Sequence, residues 1–457
     1  MKNVKEVYEN FVTIDDAMKL SYEEVKHNFR TYQNAMALGF FEAIGVTRNY
    51  VRAEGSKFID DQGNEYLDFL GGVGVLNVGH NNKEVFDAIG KVFGLPCTPQ
   101  LQVPRIASAF AKNLAMVAPK GLSKVWFGTG GAEAVEGAMK CAKMATNRSR
   151  FVSTFNAFHG KTAGALSVTR QALAKNQGTL LPGVNFVPYG DTYALELALQ
   201  DKNVAAFIAE PIQGEGGINV PPEGYFKKVR ALCDKYGTLF IADEVQTGIG
   251  RTGTLWAVEY EDVIPDILVF AKGVSGGLIP LAGYITKPKI WDAAFGSPET
   301  GMIHTNTYGN NTLACAVGLQ TLQYVIENDL PRQSKEKGEY MMTKLKEIAK
   351  KYPLLIKEVR GRGLFIGIEF HKQSELLKME EGAVEVMAFT LCKKLFEIGK
   401  CFVAFTFANP TVIRVEPPLT TSYEQLDTFI NVFEKAVFAA LKELGIKEED
   451  VMQIATK

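Results

Sequence analysis

The stretch Phe240-Ile241-Ala242-Asp243-Glu244-Val245-Gln246-Thr247-Gly248-Ile249-Gly250-Arg251-Thr252-Gly253 constrains the fold more than any other part of the chain. A short apolar run closed by a glycine-rich loop reads as a buried strand, and the two carboxylates mark its tip. A second run, Ile267-Leu268-Val269-Phe270, ends in Ala271-Lys272-Gly273. A third, Ala205-Ala206-Phe207-Ile208-Ala209, ends in Glu210-Pro211-Ile212-Gln213-Gly214-Glu215-Gly216-Gly217. From about residue 105 such strands alternate with helical stretches, the pattern of an α/β chain with a mostly parallel sheet. Ligands of open α/β sheets bind beyond the carboxyl ends of the strands. Asp243 and Lys272 therefore leave the same edge of one sheet.

Length and charge narrow the possibilities. A chain of 457 residues has room for two or three domains. We read an N-terminal segment, 1–65, packing with the small domain, then a large domain, 66–335, and a smaller α+β domain, 336–457. A net charge of −1 does not point to a nucleic-acid or membrane partner. No apolar run approaches membrane-spanning length, and the first residues lack the apolar core of a signal peptide. Five histidines argue against a histidine-rich metal site. Six scattered cysteines without a CxxC suit reduced thiols in a cytoplasm.

Local patterns fill in the elements. Residues 21–41 read as one amphipathic helix, opened by Ser21 with Glu24 completing a capping box. Residues 50–70 read as short strands around an Asp61-Gln62-Gly63-Asn64 turn. Leu281 to Thr286 follows its predecessor too closely for a crossover and is expected antiparallel. Phe402 to Phe405 and Val412 to Val415 read as strands, and Tyr423 to Leu444 as the last helix. Gly128-Thr129-Gly130-Gly131-Ala132 enters a helix over Glu133 to Thr146, where free N–H groups and the helix dipole suit a phosphate. It is not a P-loop, because no Gly-Lys-Ser/Thr follows. Gly71 to His80 allows either a close ligand approach or a plain tight loop. Phe158 either stacks on a flat ring or packs in the core.

Taken singly, Asp243 could close a turn, Lys272 could be solvated, and Arg414 could be half of a structural salt bridge. Taken together, an acid able to face a ring nitrogen and a lysine able to form an imine suit a pyridoxal phosphate enzyme. The blocks EPIQGEGG, ADEVQTGIGRTG, the lysine and HTNTYGNN, in this order and spacing, resemble those of class III (ω-) aminotransferases. These belong to the fold-type I pyridoxal phosphate enzymes, and the look is nearest to putrescine and ornithine aminotransferases. The resemblance spans roughly residues 50–445.

That resemblance implies the remaining roles. Lys272 matches the lysine that holds the cofactor and moves the proton. Asp243 matches the partner of the ring nitrogen, Gln246 the partner of the phenolic oxygen, and Phe158 the stacking aromatic, with His159 completing its block. Gly130, Gly131 and Ala132 occupy the phosphate loop. Thr307 matches a threonine that reaches the phosphate of the other subunit, which implies a homodimer with shared sites. Arg414 matches the arginine that binds the substrate carboxylate, and Glu215 the glutamate that pairs with it. Two positions depart from the family pattern. The phosphate loop lacks its usual side-chain hydroxyls, with Thr129 or Thr307 expected to compensate. Val73 stands where relatives place an aromatic, which would enlarge that wall. The reading is an aminotransferase moving an amino group from an ω-, diamine or β-amino donor, putrescine-like as the best guess, to a 2-oxo acid by a ping-pong mechanism. A β-amino acyl-CoA aminotransferase and a fold-type I epimerase or aminomutase are the alternatives. A non-catalytic cofactor-binding protein is a third class, disfavoured by retention of both Lys272 and Asp243.

Overall fold

The computed structural model describes residues 11–98, 101–169, 178–372 and 386–452. The stretch over 21–41 is a broken helix. Tyr22–Phe29 carries the capping box, with Ser21 N–H donating to Glu24 Oε2 at 2.9 Å. A π-helical turn at Arg30–Asn34 then separates it from Ala35–Ala43. Three short strands follow, β1 (Tyr50–Glu54), β2 (Lys57–Asp60) and β3 (Glu65–Asp68), paired antiparallel in sequence. Asp60 ties the β2–β3 turn by accepting the backbone N–H groups of Gln62 and Asn64.

The large sheet is built from β4 (Lys124–Gly128), β5 (Arg150–Thr154), β6 (Val184–Val187), β7 (Val204–Ala209), β8 (Leu239–Asp243), β9 (Ile267–Phe270) and β10 (Ala282–Thr286). Their spatial order is β4-β10-β9-β8-β7-β5-β6. Strands β5 to β9 run parallel. β10 is antiparallel to both β9 and β4, as its short connection requires. Side-chain alternation splits the core between two faces. Phe240, Ala242, Leu268 and Phe270 bury against one layer of helices, and Ile241, Ile267 and Val269 against the other. Helix Gly131–Thr146 lies on the second face through Ala134, Ala138 and Ala142, whose small side chains let it sit close to the strands. It starts two residues earlier than the sequence suggested, so the glycine pair forms its cap and first turn.

A third sheet, in the order β11-β12-β15-β14, is formed by β11 (Ile356–Arg362), β12 (Phe365–Phe370), β14 (Ala404–Phe405) and β15 (Val412–Val415). The single strand expected over Phe402 to Phe405 is divided. β13 (Cys401–Phe402) pairs parallel with β3, whereas β14 pairs antiparallel with β15. Two sheets claim the two halves of one extended segment, and the buried Val403 sits at the joint. Among the described residues no helix is long and apolar enough to cross a membrane.

Candidate active site

A cavity of about 590 Å³ opens at the carboxyl edge of the large sheet. Its wall includes Gly130, Gly131, Ala132, Phe158, Asp243 and Lys272. These residues end or follow β4, β5, β8 and β9, and the common direction of those four strands delivers them to this edge.

Lys272 follows β9 and begins a tight turn with φ +47°, a left-handed conformation that costs a non-glycine residue about 1–2 kcal/mol. Such strain persists where surrounding structure fixes it. Burial pulls the Lys272 ammonium below the usual lysine range, opposed by Glu416 and Glu215 and reinforced by Arg414. The neutral, nucleophilic amine is thereby brought nearer to physiological pH.

Asp243 is the last residue of β8. Its Oδ2 lies 2.6 Å from His159 Nδ1, and its Oδ1 accepts the N–H of Val245 at 3.1 Å. His159 Nε2 is buried without a hydrogen-bond partner among the described residues. The shared proton therefore belongs on Nδ1 when Asp243 is ionised. Glu210, at the tip of β7, accepts the N–H groups of Phe158 at 3.0 Å and Gly214 at 2.9 Å. Burial pushes its carboxyl up to about 7.

The glycine loop at the head of helix Gly131–Thr146 has no side-chain cap, so its first-turn N–H groups are available to an anion. The backbone is crowded there. A Cβ on Gly160 (φ +133°) would lie 2.6 Å from the Cβ of Ala132. Thr129 lines the cavity, where its N–H and its Oγ1 both donate to Glu133 Oε2 at 2.7 Å. Thr307 lies exposed on the loop before helix Thr312–Glu327 and is not in the wall of this subunit's cavity.

Gln246 reaches the cavity, and its Nε2 donates to both oxygens of the buried Glu416 at 3.0 and 2.9 Å. Glu416 thus fixes which way the amide faces. Arg414 on β15 is paired with Glu215: its Nη2 lies 2.7 Å from each carboxylate oxygen. Both side chains are buried; Arg414 Nε and Nη1 make no hydrogen bond among the described residues, although Nη1 lies 3.9 Å from Glu416 Oε1. Val73 adopts φ +63°, and its carbonyl accepts from Gln246 at 3.4 Å. From that segment it is Val75, not Val73, that lines the cavity of this subunit.

Glu416, Asn77 and Glu133 carry geometry that the sequence reading did not assign. For Glu416 a signal was present: it lies two residues beyond Arg414 in the Arg-Val-Glu run, so strand alternation places it on the same face. Glu244 packs away from the cavity, accepting the N–H of Val258 at 2.9 Å.

An acid held at a strand tip, a partly buried lysine at the end of the neighbouring strand and an uncapped helix N-terminus in the same cavity wall fit pyridoxal phosphate. Asp243 suits the ring nitrogen, Lys272 the aldehyde carbon, and the Gly130–Ala132 backbone the phosphate. The fold and site are those of a fold-type I pyridoxal phosphate-dependent transaminase. Residues 42–437 match the model of the family described as Aminotransferase class-III, and the chain belongs to that family. It is 44% identical over 401 residues to an uncharacterised aminotransferase of Schizosaccharomyces pombe, covering 86% of this chain and 82% of that protein. The ornithine aminotransferase of Toxoplasma gondii ME49 superposes with a TM-score of 0.81 at 30% identity, over 97% of this chain and 100% of that one. An amine transaminase from an uncultivated Pseudomonas species, solved with pyridoxal phosphate bound, superposes with a TM-score of 0.78 at 29% identity, over 86% and 95%.

Proposed function

We propose that the enzyme transfers an amino group from a donor whose amine lies far from any carboxylate, with a putrescine-like diamine as the best fit, to a 2-oxo acid such as 2-oxoglutarate. The observation that carries this reading is the buried Arg414–Glu215 pair, in which the guanidinium Nε and Nη1 make no hydrogen bond among the described residues and Nη1 lies 3.9 Å from Glu416 Oε1. Unpaired buried donors are costly and call for an anionic partner. With Glu215 in place the arginine is neutralised and a cationic donor is tolerated. With Glu215 displaced the planar guanidinium can take a carboxylate in bidentate fashion. One pocket then serves both half-reactions of a ping-pong cycle.

When bound, the cofactor supplies an electron sink for charge developing at the donor carbon. The chain's own groups do the rest. Asp243, oriented by His159, holds the ring nitrogen's proton. Gln246, oriented by Glu416, faces the phenolic oxygen. Lys272 Nζ would carry the proton from the donor carbon to the cofactor's former aldehyde carbon, as general base and then general acid. We further propose a cytoplasmic homodimer in which Thr307 completes the partner's phosphate site, supported by its outward position and by six unbridged cysteines.

A donor panel tests the reading. Purified enzyme is mixed, without acceptor, with putrescine, ornithine, 4-aminobutyrate, β-alanine and a β-aminobutyryl thioester, and loss of the cofactor's visible band is followed. Rapid loss with the diamine is expected. Loss with the thioester alone would move the function to acyl-thioester amines. No loss with any of them, followed by acceptor-free racemisation of an amino acid, would make it an epimerase. Lys272→Ala should abolish turnover and the lysine-dependent band, whereas wild-type turnover would sink the mechanism. Arg414→Ala should raise KM for 2-oxoglutarate at least tenfold more than KM for the diamine, the loss of about 1.4 kcal/mol or more of carboxylate binding. Equal changes would remove the dual-substrate argument.

A further inference from the structure

The guanidinium of Arg251 is fully buried and has no salt-bridge partner among the described residues. Its hydrogen bonds go to the carbonyls of Leu364 at 3.0 Å and Pro417 at 2.6 Å, and to Asn77 Oδ1 at 2.8 Å. A buried cation that only filled space would be replaced by an apolar side chain at little or no cost. Asn77 is itself 1% exposed. Its Nδ2 donates to the Ile249 carbonyl at 2.8 Å, and its own carbonyl accepts the N–H of Leu419 at 2.9 Å. The same amide lies against the turn after β9, where a Cβ on Gly273 would come within 2.5 Å of Asn77 Nδ2. The residue just before Gly273 is Lys272, at φ +47°.

These contacts follow one another along the chain. Within Arg414–Leu419, Arg414 meets Glu215, Glu416 holds Gln246, the Pro417 carbonyl takes Arg251, and the Leu419 N–H takes Asn77. We infer that Arg251 and Asn77 act as a positioning pair that holds the Lys272 turn in register with this segment, so that Nζ meets the cofactor in one orientation. The inference rests on the reading of Lys272 as the cofactor's lysine.

The test compares Asn77→Ala and Arg251→Lys with Ser334→Ala. Ser334 Oγ donates to the Arg251 carbonyl at 2.7 Å and accepts the Leu364 N–H at 3.0 Å, but it does not touch Asn77. Three quantities are measured besides melting temperature: the visible circular dichroism of the bound cofactor, the rate at which stripped protein takes up pyridoxal phosphate, and kcat with both KM values. Asn77→Ala and Arg251→Lys should alter the dichroic band, slow uptake about tenfold, and lower kcat by up to about a hundredfold with KM within about twofold, as expected of a misplaced reacting group. The double variant should be no worse than the poorer single one, since the two residues work as a unit. Ser334→Ala should lower the melting temperature and leave the dichroic band and uptake rate unchanged. Variants of Asn77 and Arg251 that lose stability but keep the wild-type band and uptake rate would overturn the positioning role. If Arg251→Lys does not fold, Asn77→Ala decides alone. A lysine-dependent band that survives in Lys272→Ala would instead overturn the assignment of Lys272, so the two failures are distinguishable.

Discussion

Two buried carboxyls give a pH signature at the level of single residues. Burial pushes Glu210 and Glu244 each up to about 7 from an ordinary value of 4.5. Between those values the folded protein holds protons that the unfolded chain has released. The stability these groups contribute is therefore full at low pH and falls as pH rises from about 4.5 to about 7. Glu244→Gln should flatten that decline in thermal melts taken across the interval. The amide can still accept from Val258 N–H and meet the Thr247 hydroxyl, so the fold should tolerate it. A slope identical to wild type would show that Glu244 does not titrate there. Asp243 and Lys272 were readable from sequence because each closes an apolar run at a strand tip, and Glu215 because it stands between glycines just beyond a third such run. Glu416 and Asn77 escaped because their partners are remote: Gln246 lies 170 residues before Glu416, and Arg251 lies 174 residues after Asn77. No local pattern specifies such a contact.

At the scale of elements, helix Leu330–Lys351 lies across the turn between β11 and β12. A Cβ on Gly338 would run into the Gly363 carbonyl. Gly338→Ala should therefore cost about 1–3 kcal/mol by forcing helix and hairpin apart. Gly90, in helix Lys83–Lys91, has nothing within 4 Å of a Cβ, so Gly90→Ala should gain up to about 1 kcal/mol. Urea titrations of both variants check the contrast, and opposite signs are the expected result. Elements with a strong period were legible: the buried strands, the capped helix after Ser21 and the antiparallel β10. The division of β13 from β14 was not, since Phe402 to Phe405 carries no turn residue. Only competition between two sheets splits it. The π-helical turn at Arg30–Asn34 is equally silent in the sequence.

For the whole molecule, the isolated subunit leaves Phe93, Leu101 and Val103 at 88%, 92% and 90% exposure. Three such side chains within one short stretch are what a subunit-covered face would present. Light scattering of the purified enzyme should give at least twice the chain mass of 50.2 kDa, and a mass of one chain at micromolar concentration would remove the proposal of shared sites.

The pairing of β3 with β13 has a consequence for synthesis on the ribosome. Asp68 waits for Phe402, 334 residues later. At about 5–20 residues per second that is roughly 20–70 s during which one edge of the first three strands is unpaired. An open edge is a template for wrong partners. The three strands of that sheet are thus made long before the strand that completes them.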